Sequence, residues 1–280
     1  GGTAVGAYSA SGGIKLKGTT AITASAGAAG QHAYSLYATG NKPSTITVDK
    51  ASTIEGDIAA ATNSASVTAF FQDGGHLKGW TRSIGTLDLA FGKNAVWEMV
   101  SSNTLTKEAN GKYSGNLTRL ALDGSHVYVG NTQKQWAAGS GFASSQTLLS
   151  QTDAPAELKI KSLSGSGNFY LRTDMKKDIS DSVRVTDTLS GQHFLHVKAS
   201  GVEPVETQTA SYLARAEQQV GAASGAFALK GGRNVNGQEL IDIGLYNYTL
   251  ATSERSNGRE WYLQRVESIV PVDPDDPAPP

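Results

Sequence analysis

Leu158-Lys-Ile-Lys-Ser-Leu-Ser-Gly165-Ser-Gly167-Asn-Phe169-Tyr-Leu-Arg-Thr-Asp174 decides how the chain is read, together with Asp181-Ser-Val-Arg-Val-Thr-Asp187 and Gly191-Gln-His-Phe-Leu-His-Val-Lys198. Leu158/Ile160, Phe169/Leu171 and Val183/Val185 alternate with polar neighbours, the period of a half-buried strand. Phe194 and Val197 continue the apolar series. Gly165, Gly167, Gly191 and Gly201 fall between these runs, where a turn favours a residue without a Cβ. The spacing predicts four short strands with no helix between them. Such a strand–turn–strand winding separates a repetitive N-terminal half from a less regular C-terminal one.

Working outward, residues 1–60 contain a repeat. Tyr8-Ser9-Ala10-Ser11-Gly12 aligns with Leu36-Tyr37-Ala38-Thr39-Gly40 at an offset of 28, and Ile14, Leu16 and Ile22 align with Ile46, Val48 and Ile54 at 32. A four-residue insertion around Asn41-Lys42-Pro43 accounts for the change. Strand positions fixed by stacking, with outer turns that absorb insertions, describe a solenoid. A weaker third copy starts at Gly74-Gly75-His76-Leu77, echoing Gly12-Gly13-Ile14. Its elements are three to five residues long and rich in Thr, Val and Ile, without helical spacing or a leucine-rich signature. A parallel β-helix remains, with Ile14 stacked near Ile46 and Ile22 near Ile54.

The rhythm continues through Val67/Ala69/Phe71, Leu87/Leu89/Phe91, Leu117/Leu120/Leu122 and Val127/Val129. Lys107 to Tyr113 interrupts it as an excursion, and residues 131–157, with Trp136 and Phe142, read as a long turn region. Ala210 to Val220 has the best helix propensity of the chain, and its state is left open between helix and strand. Phe227-Ala228-Leu229, Ile241 to Gly244, Tyr246 to Leu250 and Trp261 to Val266 read as antiparallel strands. They are joined by turns at Asn234 to Gly237 and Ser256 to Gly258. A Pro/Asp-rich linker fills 268–280.

The 280 residues include 32 Gly and only 18% charged residues, which suits many turns on one elongated body. A net charge of −1 gives no general pull toward nucleic acid or anionic lipid. The chain has no Cys, which removes disulfides and thiol chemistry. No apolar run is long enough to span a membrane as a helix, and Gly-Gly-Thr-Ala-Val-Gly-Ala at the start lacks the marks of a signal peptide.

Gly-Ser-Gly-Asn-Phe-Tyr-Leu-Arg-Thr-Asp174, Asp181-Ser-Val-Arg-Val, Ser190-Gly-Gln-His-Phe-Leu-His-Val and Gly201-Val-Glu-Pro resemble the C-terminal passenger segment of pertactin-like autotransporters. The likeness runs on through Tyr246-Asn-Tyr-Thr-Leu250 to Trp261-Tyr-Leu263. It implies an all-β fold: a right-handed parallel β-helix with a C-terminal antiparallel β cap. It divides the chain into coils at 1–157, a capping or autochaperone segment at 158–267 and the linker at 268–280. Phe169, Leu171, Val183, Val185, Trp261 and Leu263 are the residues expected to build the folding cap. The resemblance further implies an excised piece of a passenger on the surface of a Gram-negative bacterium, acting without catalysis as an adhesin or self-association factor. Its expected partners are a host matrix protein or glycan, another copy of itself, and its own outer-membrane barrel in the full-length protein, with no nucleic acid.

Other chemistry has little support in the sequence. His193 and His196 would sit on opposite faces of a strand, and both read as ordinary surface or turn residues. Asp174, Asp178 and Asp181 lack calcium-loop order and read as a solvated acidic loop with Lys176 and Lys177. A β-helix lyase or hydrolase, the enzymatic alternative, would need acids such as Asp88, Glu98 and Asp123 to meet on one face. There is no nucleophile elbow, phosphate-binding glycine loop or serine-protease motif, and no cofactor, metal or catalytic residue is assigned. Trp80, Trp97, Trp136 and Trp261 read as packing residues rather than a sugar-stacking surface. The basic residues Lys15, Lys17, Lys78, Arg82 and Arg119 are scattered. A third reading is a structural stalk for functions carried elsewhere in the protein.

Overall fold

The computed structural model describes residues 3–26, 32–138, 154–199, 212–218 and 223–266. Phe142, Gly201 and the linker 268–280 lie outside them. The chain winds in coils. The first four are β1 (Thr3–Ser9) with β2 (Gly12–Thr23), β3 (His32–Ala38) with β4 (Ser44–Glu55), β5 (Asp57–Ala60) with β6 (Ala65–Lys78), and β7 (Thr81–Ser83) with β8 (Thr86–Phe91) and β9 (Val96–Met99). Then come β10 (Tyr113–Val129), the helix α1 (Gln133–Ala138), β11 (Ala156–Asp174), β12 (Ile179–Ser180), β13 (Ser182–Leu189), β14 (Gln192–Ala199), β15 (Ala214–Glu217) and β16 (Phe227–Leu229). Four strands finish the chain: β17 (Arg233–Val235), β18 (Gln238–Ile243), β19 (Tyr246–Arg255) and β20 (Gly258–Val266).

Three faces result. β1, β3, β5 and β7 form a parallel four-stranded sheet, the first face. The longer strands bend midway, so their first halves stack as a second face and their second halves as a third. Ile22, Ile54, Leu77, Trp97, Val127, Phe169, Leu195 and Leu229 occupy one register position through successive coils of the third face. From Ile54 through Leu195 this column is fully buried, so each apolar side chain packs on those above and below. Phe71 and Phe91 stack at 4.5 Å and Phe91 meets Trp97 at 5.8 Å, joining the second face to the third.

The 32-residue repeat is the pitch of one coil: Ile14 pairs with Ile46 and Ile22 with Ile54 in adjacent strands. Two details differ from expectation. Tyr8 pairs with Tyr37 and Ser9 with Ala38, an offset of 29, so the outer turn gains three residues rather than four. A slip of one would have turned inward residues outward. The third copy begins at Ala65, opposite Ser44, and not at Gly74. Gly74 (φ 68°) marks a bend within β6, so the glycine doublet was matched to the wrong corner.

Leu158/Ile160 and Phe169/Leu171 belong to one strand, β11, not two. The strand bends at Gly165, whose φ is +84° and where an added Cβ would lie 2.0 Å from the Leu122 carbonyl oxygen. Gly191 repeats this against Gly165 in the next coil, at 1.8 Å. Only glycine fits both corners. Parallel winding also persists past residue 157, and Phe227–Leu229 pairs parallel to β14 rather than antiparallel. The change of direction comes where β15 meets β20. Ala214–Glu217 is strand, and Gln133–Ala138 is helix where a turn was expected. Thr132 and Gln135 make a capping box there, Thr132 Oγ1 accepting from the Gln135 amide at 3.1 Å and Gln135 Oε1 from the Thr132 amide at 2.8 Å.

Candidate functional site at the closed end and on the outer faces

β15 has a parallel neighbour, β13, on one edge and an antiparallel neighbour, β20, on the other. β20 is followed outward by β19, β18 and β17, all antiparallel. The hairpins therefore cover a coil edge that would otherwise present unpaired backbone groups. Trp261 lies level with Ala214, is fully buried, and donates from Nε1 to the Ser224 carbonyl at 2.8 Å. Its ring meets Phe227 edge-on at 5.0 Å. Leu263 shares the buried face while Tyr262 points the other way and is half-buried, as strand alternation requires. Phe169, Leu171, Val183 and Val185 are buried in the coils just before. Phe227 links the two groups, 6.3 Å from Phe169 and 5.7 Å from His193.

His193 and His196 are on opposite faces, but neither is an ordinary surface residue. His193 is fully buried between Phe169 and Phe227, and burial lowers its pKa despite a contact with the Ser190 carbonyl. His196 stacks on Tyr170 at 4.5 Å, which stacks on Tyr128 at 4.2 Å. Trp136 of α1 stands edge-on to Tyr170 at 5.2 Å, with Lys198 bonded to its carbonyl. Burial, helped by Lys230 and His126, holds His196 down at about 4.

A second polar group fills the corner where β11 and β13 begin. Glu157 is fully buried and accepts from Tyr212 OH at 2.5 Å and Ser182 Oγ at 3.1 Å. Lys112 Nζ donates to Ser182 Oγ at 2.8 Å and lies 4.7 Å over the Tyr212 ring. Burial lowers the Lys112 pKa, with Glu157 and Asp181 opposing. A lysine beside a serine is the chemistry of an activated nucleophile. Ser182 is fully buried, however, so a substrate does not reach it in this conformation.

The expected solvated acidic loop holds at its tip, where Lys176, Lys177 and Asp178 are exposed, but not at its two flanking acids. Asp181 is fully buried against Arg172, and it also accepts from the Ala156 and Arg172 amides at 2.8 and 2.9 Å. Asp174 is buried too. The pairing of Arg172 with Asp181 across the β11–β12 turn has no fixed spacing that would reveal it in the sequence.

Asp88, Glu98 and Asp123 do not converge. Asp88 on β8 pairs with Arg119 at 2.8 Å, and Asp123 lies exposed at a register shift in β10. Glu98 on β9 is level with Tyr128 on the third face. Burial pushes the Glu98 carboxyl up, but hydrogen bonds from His76 and the Gln133 amide outweigh it and leave it lowered. Among the described residues no group of His, Asp and Glu is arranged to hold a metal ion. Trp80, Trp97 and Trp261 are buried, and Trp136 is half-buried. Lys15, Lys78 and Arg119 each pair with an acid of a neighbouring coil, Asp49, Glu55 and Asp88.

The outer side of the first face carries a row that sequence reading missed. Tyr8, Tyr37, Ala59 and Arg82 share one register position across β1, β3, β5 and β7. Tyr8 stacks on Tyr37 at 5.8 Å and Tyr37 meets Tyr34 at 4.8 Å. Beside Tyr34 a cleft of about 440 Å³ opens beneath the segment 103–108. That segment is the excursion expected at Lys107, and the strand-free stretch begins earlier, at Val100. Asn103 fixes it to the first face by giving and taking hydrogen bonds with Ala33. Asp57 accepts from Asn103 Nδ2, Ser101 Oγ and the Trp80 amide, yet burial still pushes its carboxyl up to about 6.

The sequence model of the Pertactin family matches residues 117–265, more than half of the chain. "Autotransporter CRAC" of Citrobacter rodentium is 30% identical over 125 residues, covering 45% of this chain and 7% of its own length. "Autotransporter adhesin/invasin TibA" of Escherichia coli O78:H11 is 32% identical over 129 residues, 46% of this chain and 11% of its own. "IgA-specific serine endopeptidase autotransporter" of Neisseria gonorrhoeae is 26% identical over 123 residues, 41% and 7%. The chain thus spans about a tenth or less of these relatives, whose names include both an adhesin and a protease. Passengers of such autotransporters are displayed at the surface of Gram-negative bacteria or secreted across the outer membrane. The chain belongs to the Pertactin family, as part of a β-helical autotransporter passenger.

Proposed function

We propose that this passenger acts without catalysis, as an adhesin or self-association factor, and that its closed end promotes folding of the coils. The observation that carries the first part is the outer surface of the first face. Half-buried Tyr34 lines a polar cleft there and ring contacts continue from it through Tyr37 to the exposed Tyr8, whereas the acids a β-helix lyase would use lie apart. The adhesin/invasin relative supports the same reading. A host matrix protein or glycan, or a second copy, is the external partner, and the protein's own barrel is the internal one. The folding role rests on Trp261 and Leu263, which bury against the last coil and cover its edge. The functional test is binding of the 280-residue chain to immobilised fibronectin, laminin, collagen and glycans, beside sedimentation to detect self-association. Saturable binding or concentration-dependent assembly is expected. Turnover of a polysaccharide or peptide substrate by the same preparation would overturn the non-catalytic part.

A further inference from the structure

Face-on aromatic rings beside mixed hydrogen-bonding groups are how proteins hold sugar rings, because a sugar has an apolar C–H face and an edge of hydroxyls. The first face offers aromatic rings, Tyr34 among them with His32 stacked on it at 6.4 Å, beside mixed hydrogen-bonding groups. Tyr34 is half-buried at the cleft wall and Tyr37 extends the aromatic surface to Tyr8, which is 53% exposed. Arg82, His32 and Glu108 are exposed and line the same cleft. We infer that the cleft between Tyr34, Arg82 and Glu108 is a binding site for one or two sugar rings of a glycan, an inference that rests on the adhesin reading above.

The geometry favours this ligand class over others. The floor is fixed before anything binds. Asn103 amide atoms are engaged with Ala33, and the Asn116 amide gives to the Ser83 carbonyl and accepts from its N–H at 2.7 and 3.1 Å. A rigid site loses little entropy on binding. At about 440 Å³ the cleft lies within the usual range for a small-ligand pocket. Donors and acceptors stand side by side at its rim: a guanidinium has only donors, a carboxylate only acceptors, and a phenol both. An apolar peptide would cover the Arg82 guanidinium and the Tyr34 hydroxyl without pairing them, whereas Glu108 already accepts from Lys159. A nucleic acid would need a basic track, and here Glu108, paired with Lys159, lines the cleft along with Arg82 on a chain of net charge −1.

The test titrates the 280-residue chain with lactose, N-acetyllactosamine, 3′-sialyllactose and a heparin hexasaccharide. Saturation-transfer NMR and tryptophan fluorescence follow binding, since Trp80 borders the cleft. At least one of the four should bind saturably. Tyr34→Ala and Arg82→Gln should each weaken it by about tenfold or more, roughly the loss of one good contact. Phe70→Ala, whose exposed ring lies on the second face, should change nothing. Arg82 is exposed, so Arg82→Gln serves even if Tyr34→Ala disturbs the fold. No saturable binding to any of the four, or binding untouched by Arg82→Gln in a folded protein, overturns the site. Running the matrix-protein and self-association assays on the same variants separates the two claims. Binding there without sugar binding removes the cleft and leaves the adhesin reading, whereas silence in every assay removes both.

Discussion

Arg172 and Asp181 meet inside the corner where β11 turns into β13, Nε 2.7 Å from one carboxylate oxygen and Nη2 3.1 Å from the other. Both are buried, and Asp181 also holds two backbone N–H groups. Removing the carboxylate leaves a buried guanidinium and two amides without it. Asp181→Ala should therefore cost about 3–5 kcal/mol, read from chemical denaturation. Asp181→Asn keeps one acceptor oxygen and should cost visibly less; equal losses would mean that the retained acceptor contributes nothing once the charge is gone.

Ile54 and Ile14 test the coil stack by position. Ile54 is fully buried with a coil on either side, so Ile54→Ala should cost about 2–5 kcal/mol. Ile14 belongs to the first coil, pairs on one side only among the described residues and is half-buried. Ile14→Ala should cost clearly less in the same denaturation series. Similar losses would contradict the stacking.

Trp261→Ala should remove roughly 3–5 kcal/mol, as for a large buried aromatic. The proposed folding role makes a sharper statement. Expressed with its barrel, the variant passenger should become more sensitive to protease at the cell surface. Trp261→Phe keeps a ring beside Phe227 but loses the bond to Ser224, and should fall between. Unchanged surface amount and protease resistance for Trp261→Ala would remove the closed end from the folding mechanism.

Acidification brings opposed effects. Burial holds His196 at about 4 against 6.5 in the unfolded chain. The unfolded state therefore binds this proton first, and stability is lost as pH falls from about 6.5 to about 4. His193 and His126, lowered mainly by burial, act in the same direction. Asp57 is raised by burial to about 6 from 3.8, so the folded state binds its proton first and stability is gained over about 6 to 4. His196→Gln should flatten the acid loss, and Asp57→Asn should steepen it. Denaturant midpoints at pH 7 and 4.5 compare the slopes; the reverse order of slopes would contradict both assignments.

The Ile14/Ile46 and Ile22/Ile54 pairs were legible because strands stacked in register keep their internal spacing while turns change length. The step from coil to coil is not constant, so the column beyond Ile54, which moves on to Leu77 and Trp97, was not readable as a repeat. Alternation alone made it legible that Trp261 and Leu263 share one face; that they belong to a cap came from the resemblance. What escaped depends on contacts distant in sequence. Asn103 reaches Ala33 across 70 residues, and Tyr8 joins Tyr37 and Arg82 only once the coils are stacked. His193 and Asp181 look polar and superficial as letters, yet a β-helix buries every second residue, and these found partners inside. Corner glycines recur at several bends, Gly74, Gly124 and Gly165 among them, so a glycine doublet does not by itself mark the start of a coil. The helix α1 had a readable start in Thr132 and Gln135, but its six residues are too short for periodicity to register.

The coils also determine how the passenger would bear load. Rungs bond to the rungs above and below, so a pull along the axis opens hydrogen bonds one after another instead of shearing a whole sheet at once. A coil with the 32-residue pitch between Ile14 and Ile46 occupies about 4.8 Å of axis while folded and releases roughly 110 Å of slack once peeled. Held between a surface and a ligand, such a chain would lengthen in discrete increments of that order, which an optical trap resolves. The passenger would then serve as an extensible tether, yielding coil by coil before its grip fails.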